Sequence, residues 1–152
     1  MTILRTGGSK EPATSSTDEE LLRAHHAIEA ARAGTLPVQE MVKVLMSGPI
    51  EVPLVEPPRM ERQEMKGWKP ATLSKADGSQ WLVAFTSSDL TTAFSKQNPA
   101  YCHGIRVDAA WVLRVMPAAH GLVFNLGSEA MFEWNAAGLE RYKDEVLGMT
   151  AS

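Results

Sequence analysis

Cys102 and His103 are the pair most suggestive of chemistry, because a thiol beside an imidazole could supply a nucleophile and its base. Their adjacency argues against it. Neighbouring residues on a strand point to opposite faces, so the two side chains cannot meet. Cys102 therefore reads as a buried structural cysteine, the usual situation of a free thiol. Thr86-Ser87-Ser88-Asp89 places three hydroxyls and a carboxylate where a strand turns into a helix. Such a run could be a nucleophile turn or an anion site at a helix N-terminus. It lacks the Gly-x-Ser-x-Gly frame of a nucleophile elbow, and Asp89 would repel an anion. Capping of the following helix accounts for these residues. His25-His26 has no histidine four residues on and no cysteine nearby, so it reads as a solvated helix face, not a metal site. Asp108, Glu129 and Glu133 are scattered acids without paired spacing. Gly7-Gly8 and Gly121 form no phosphate-cradling pattern. No catalytic residue, cofactor site or metal site is assigned.

The composition sets the frame for these residues. A chain of 152 residues, 44% hydrophobic and 22% charged, is expected to be one soluble globular domain. A net charge of -3 gives no general attraction to nucleic acid or anionic lipid. The lone cysteine excludes an internal disulfide and a cysteine-based zinc cluster, and a reducing cytoplasm is the simplest compartment. No apolar run reaches membrane-spanning length, and Met1 to Gly8 contains no apolar signal segment.

The elements that position the polar runs follow from periodicity. Residues 1–16 carry little to bury and read as a disordered tail, leaving residues 17–152 as the domain. Thr17 and Glu20 have capping-box spacing for a helix from Asp18 to Ala33, stopped by Gly34. Its thin stripe of Leu21, Ala24, Ile28 and Ala31 predicts loose docking. Thr35 caps a second helix, with Pro37 in its first turn and Val38, Met41, Val42 and Leu45 as a core stripe. Ile50, Val52 and Leu54 alternate with Glu51 and Pro53, a half-buried strand in which the proline suggests an edge or a strand end. Val55 to Lys69 reads as a long irregular connection.

Asp77-Gly78 turns a hairpin into the strand Trp81 to Phe85, which feeds the helix carrying Leu90, Ala93 and Phe94. Cys102 to Val107 is a strand, and Asp108 caps a helix bearing Trp111, Val112 and Leu113. Gly121 to Leu126 is a strand covered on both faces, Met131 to Trp134 a short one, and Asn135 caps a last helix with Leu139, Tyr142 and Val146 on one face. The expected fold is α+β. A mixed sheet of about five strands combines the antiparallel hairpin with strand-helix-strand crossovers, and helices pack on the sheet. Met41, Leu45, Leu82, Val83, Phe85, Leu122 and Phe124 are the expected joint core.

Three ordered motifs carry a family resemblance. Ile50-Glu51-Val52-Pro53 resembles the strand ending in Val-Pro of the SseB (enhanced serine sensitivity) N-terminal domain family. Asp77-Gly78 followed by Leu82-Val83-Ala84-Phe85-Thr86-Ser87 resembles that family's glycine turn and strand ending Phe-Thr-Ser. Gly121-Leu122-Val123-Phe124-Asn125 resembles its later strand, which typically continues to Asn-Pro-Gly; here Leu126 stands in place of the proline. The resemblance covers roughly Thr35 to Val146. It implies an α+β domain with bacterial relatives, some associated with secretion systems, and it transfers no catalytic residue.

Two functional readings result. In the first, the chain is a non-catalytic accessory or interaction protein that meets a protein partner through Met60, Met65 and Trp68, with Phe132 and Trp134. Proline-stiffened backbone, methionines and tryptophan suit a contact surface. In the second, a small-molecule sensor or enzyme places its site at the C-terminal ends of the parallel strands, where Thr86, Ser87, Asp108 and Asn125 converge.

Overall fold

The computed structural model describes residues 2–3, 18–57, 59–62, 64–66 and 68–145. In chain order the elements are β1 (Thr2–Ile3), α1 (Asp18–Arg32), α2 (Val38–Met46), β2 (Pro49–Leu54), β3 (Arg59–Glu61), β4 (Glu64–Lys66), β5 (Thr72–Ser74) and β6 (Gln80–Ala84). Then follow α3 (Ser88–Gln97), a 3-10 turn (Pro99–Tyr101), β7 (His103–Asp108), α4 (Ala109–Val115), β8 (His120–Phe124), β9 (Phe132–Trp134) and α5 (Ala136–Glu145). Most of the predicted tail, residues 4–16, lies outside the described residues, as does Val146; Thr2 and Ile3 pair with Ile105 and Arg106.

The fold is α+β with a mixed sheet. The hairpin forms as predicted, with Gly78 in the left-handed region at φ +88 and Leu73 opposite Trp81. β6 and β8 lie parallel, Leu82 beside Leu122 and Ala84 beside Phe124, in the order β5-β6-β8-β9. A second set runs β1-β7-β2. Glu51 and Phe85 join the two sets by exchanging N–H···O bonds of 2.9 and 2.8 Å. The crossovers thus differ from a contiguous parallel trio. β7 pairs antiparallel with β2, because β2 already occupies the position beside the end of β6.

β2 is also a correction. All six of its residues are buried, so it is not half-buried; it ends the order β1-β7-β2, with Pro53 one residue from the end of the strand. Pro53 sits opposite Gly104 of β7, and its carbonyl accepts from the Ala71 amide at 2.9 Å. A proline lacks a donor but keeps its acceptor, which suffices where the neighbour supplies the N–H.

The sheet divides the core. Ile50, Val52, Leu82, Ala84, Ile105, Leu122 and Phe124 lie with the buried residues of α1, α2, α4 and α5. Trp81, Val83, Phe85 and Val123 face the other way, with Leu90, Phe94 and Tyr101 over them. The seven predicted core residues are all buried, but Val83 and Phe85 belong to the second layer, as alternation along a strand requires. Gly121 is needed at that layer, since a Cβ there would lie 2.4 Å from the Trp81 ring.

Several local expectations are revised. α1 docks closely, burying Leu21, Ala24, Ala27 and Ile28, because alanines allow the backbone near α2 and β2. Thr35 does not cap α2; its hydroxyl donates to the Ala30 carbonyl at 3.1 Å and closes α1. Val38 is 54% exposed and not core. The connection from 55 to 69 contains the hairpin β3–β4, with Met60 opposite Met65. Cys102 is exposed, because it sits between the 3-10 turn and β7, outside the pleated strand.

Candidate functional site

At the C-terminal end of β6 the chain bends into α3. Ser87 is the N-cap, its hydroxyl accepting from the Leu90 amide at 3.4 Å. Asn125, just past the parallel partner β8, holds the bend. Its side-chain carbonyl accepts from the Thr86 amide at 2.8 Å, and its amide donates to the Thr86 hydroxyl at 2.9 Å and to the Ala130 carbonyl at 3.1 Å. Asn125 adopts φ +57, which asparagine tolerates better than most residues. His25 Nδ1 on α1 lies 2.8 Å from the same Thr86 hydroxyl. Thr86 and Ser87, with Asp18, Leu22, His25 and Asp89, line an open cleft of about 350 Å³.

Asp108 stands apart from this group. It ends β7 opposite Pro49 and precedes α4 without a side-chain capping bond. Burial and the nearby Glu20 push its carboxyl above the usual range, while Arg114 opposes them. A raised folded-state pKa disfavours the charged form, so this group lowers stability as pH rises through the carboxylate range. Asp108→Asn is therefore expected to raise the melting temperature at pH 7, with the difference from wild type vanishing at pH values where Asp108 is protonated in both states. Parallel thermal melts across pH check this; an unchanged or lowered midpoint at pH 7 contradicts it.

Sequence reasoning missed a buried polar group centred on Glu51. Glu51 is 0% exposed. Arg106 donates to its Oε2 from Nη2 at 2.7 Å and from Nε at 3.1 Å. Ser88 and Thr91 each donate a hydroxyl to the same carboxylate at 2.8 Å. Arg106 Nη2 also reaches Asp18 at 2.8 Å. Burial alone would lower the Arg106 pKa, but the bonds to Glu51 and Asp18 outweigh it and hold the guanidinium above its usual value. This group ties β2, β7, α3 and α1 together. Its signal was present as Glu51 between Ile50 and Val52, and Arg106 between Ile105 and Val107. A period-2 reading assigns such charges to solvent.

The predicted contact residues separate. Met60 and Met65 face each other across β3 and β4. Trp68 packs edge-on against Trp111, ring centroids 4.9 Å apart, and joins the core. Phe132 and Trp134 lie together on β9. Phe132 stacks on Phe124 at 6.1 Å, and Trp134 meets Tyr142 at 5.1 Å in a T-shaped contact. Phe132 lines a cavity of about 220 Å³ beside α1 and α2. Trp134 lines one of about 680 Å³ between α2 and α5, with Val42, Gly138 and Tyr142. Val38 lines both, so the two cavities adjoin at its side chain and are together termed the furrow, and Trp68 lines neither.

Among the described residues no group of three or more His, Cys, Asp or Glu side chains could hold a metal ion, and no helix is long and apolar enough to cross a membrane. The class is an α+β domain whose mixed sheet carries helices on both faces, with two adjoining cavities beside α2 and an open cleft at the end of β6. The model of the SseB protein N-terminal domain matches residues 24–141, and the chain belongs to that family. Neither the curated proteins nor the solved structures gave a match.

Proposed function

We propose that this chain is a non-catalytic interaction domain that meets a protein partner through the furrow centred on Val38, Phe132 and Trp134. The observation that carries this reading is the exposure of Val38, at 54%, where two apolar cavities join. An exposed aliphatic residue flanked by half-buried aromatics is the anatomy of a contact face. Met60 and Met65, opposite each other on the β3–β4 hairpin, are residues we propose as a separate contact point for the partner. The resemblance to bacterial relatives, some associated with secretion systems, supports a cytoplasmic partner of that kind, and the net charge of -3 argues against nucleic acid.

Val38→Asp tests the reading, because an exposed site tolerates the change within about 0.5 kcal/mol. The variant is expected to keep the wild-type melting temperature and lose the partners retained in co-purification from the host. Val115→Asp, at another exposed aliphatic residue, should retain them. Equal retention by wild type and Val38→Asp rejects the face.

The strand-end cleft supports a second reading, a small-molecule sensor or enzyme, because Thr86 and Ser87 converge there with His25 and Asp89. Asn125 holds Thr86 in place, and Asp108 lies outside the lining. Native mass spectrometry of protein purified from its host tests it: a co-purified small molecule lost in Thr86→Val supports the cleft.

A further inference from the structure

We infer that the occupant of the furrow is an amphipathic helix whose apolar face is flanked by carboxylates. This rests on the contact-face reading above and adds the partner's shape and charge.

The shape follows from the walls. Between α2 and α5 the lining comes from Val38 and Val42 on one helix and from Gly138, Arg141, Tyr142 and Glu145 on the other. The α5 residues fall at i, i+3, i+4 and i+7, about two helical turns of one face. Backbone N–H and C=O groups of a helix are used within the helix, so these walls offer an incoming chain little main-chain pairing. Between α2 and α5 recognition comes from side-chain burial, which suits a helix laid in a groove, whereas an added strand would have to pair with β9, the outer strand of its set, beside the smaller cavity. Gly138 has a bearing on this fit, because its missing side chain leaves the Trp134 ring bare; a Cβ there would lie 3.0 Å from Trp134 Nε1.

The charge follows from the rim. The two cavities are bordered by Arg32, Lys43 and Arg141 against Glu133 and Glu145. Glu133 is already held by Lys75, which comes from outside the furrow. Arg32 bonds the Met131 carbonyl, so its charge remains uncompensated by that contact, and Lys43 pairs with the exposed Glu40 of its own helix. A chain with net charge -3 thus presents an excess of cations along this one apolar furrow. Carboxylates beside the apolar face of an incoming helix would meet them, and the same rim would disfavour a basic helix.

The test uses the full chain and two synthetic helical peptides of about 18 residues, long enough to hold helix in part before binding. Each carries leucines at i, i+3, i+4 and i+7. One is flanked by glutamates, the other by lysines at the same positions. Binding is followed by the four tryptophan indole N–H signals and the Gly138 amide in heteronuclear NMR. The glutamate peptide is expected to move the Trp134 and Gly138 signals and to bind roughly tenfold more tightly than the lysine peptide at low salt. Lys43→Glu combined with Arg141→Glu, both at exposed positions, is expected to invert that preference without changing the melting temperature. Equal affinities with the shifts still in the furrow overturn the charge assignment and leave the contact face standing. Absence of binding by both peptides, or shifts confined elsewhere, overturns the helix proposal. Concentration-dependent dimerisation abolished by Val38→Asp names a second copy as the occupant and likewise overturns it.

Discussion

Arg106→Met is expected to cost about 3–5 kcal/mol of folding stability, measured by urea denaturation. The substitution removes the guanidinium bonded to a carboxylate that is 0% exposed, and an uncompensated buried charge is among the most destabilising single changes. Glu51→Leu should cost a comparable amount, since it strands a guanidinium that is 5% exposed, with Asp18 as its remaining anion. The double variant Glu51→Leu with Arg106→Met should recover most of the loss, because apolar groups of similar volume can replace a buried pair at little net cost. Thr91 keeps a bond to the Ser87 carbonyl at 3.0 Å in that background. Asp18→Ala should cost less than about 1 kcal/mol, because its side chain is 91% exposed and water competes for the same bond. A midpoint for Arg106→Met within about 1 kcal/mol of wild type would show that the pair does not hold the sheets together.

This buried pair also marks where sequence reading stops. Local devices were legible. The Asp77-Gly78 turn, the strand behind it, the Ser87 cap and the Asn135 cap all formed, because each depends on a few adjacent residues. Pairing partners were not. Nothing in the alternation of Cys102 to Val107 says that β7 will meet β2 and not β6, since strand order is decided by contacts far apart in sequence. Glu51 looked outward for the same reason. Only the arrival of α3 and β7 turns that face of β2 into an interior. Val38 failed in the opposite direction. Its i, i+3, i+4, i+7 spacing with Met41, Val42 and Leu45 is a core stripe, yet the stripe is wider than the surface it covers. Val38 and Val42 lie over the gap before α5. Phe132 and Trp134 were singled out because they flank irregular chain; Trp134 lies at that gap, and Phe132 lines the adjoining cavity. Trp68 was singled out on the same ground but reaches Trp111 and belongs to the core.

Phe85→Ala is the second change expected to be severe, at about 3–5 kcal/mol in chemical denaturation, the usual range for a buried aromatic. Phe85 is 1% exposed and packs its ring 5.4 Å from Phe94 of α3, which in turn lies 6.2 Å from Tyr101. It also occupies the residue at which the two strand sets meet, exchanging both backbone bonds with Glu51. Truncation leaves the backbone bonds available but empties the space between the sheet and α3. Apart from the Ser88 and Thr91 bonds to Glu51, the helix has little buried apolar surface of its own. Of its residues only Thr91 is buried, and Leu90 and Phe94 are half-buried against the same layer. Losing the Phe85 ring should therefore loosen α3 before the rest of the domain. Hydrogen exchange in Phe85→Ala is expected to accelerate in α3 amides more than in β8 amides, which are held between two strands. Phe85→Leu, which keeps most of the apolar volume, should cost less than about 1.5 kcal/mol. Phe94→Ala should cost less than Phe85→Ala, because part of that ring already faces water. If Phe85→Ala loses less than about 1 kcal/mol, the second core layer does not hold α3 to the sheet. If it loses the full amount but α3 and β8 exchange accelerate together, α3 is an integral part of the global folding unit and not a separately loosened element.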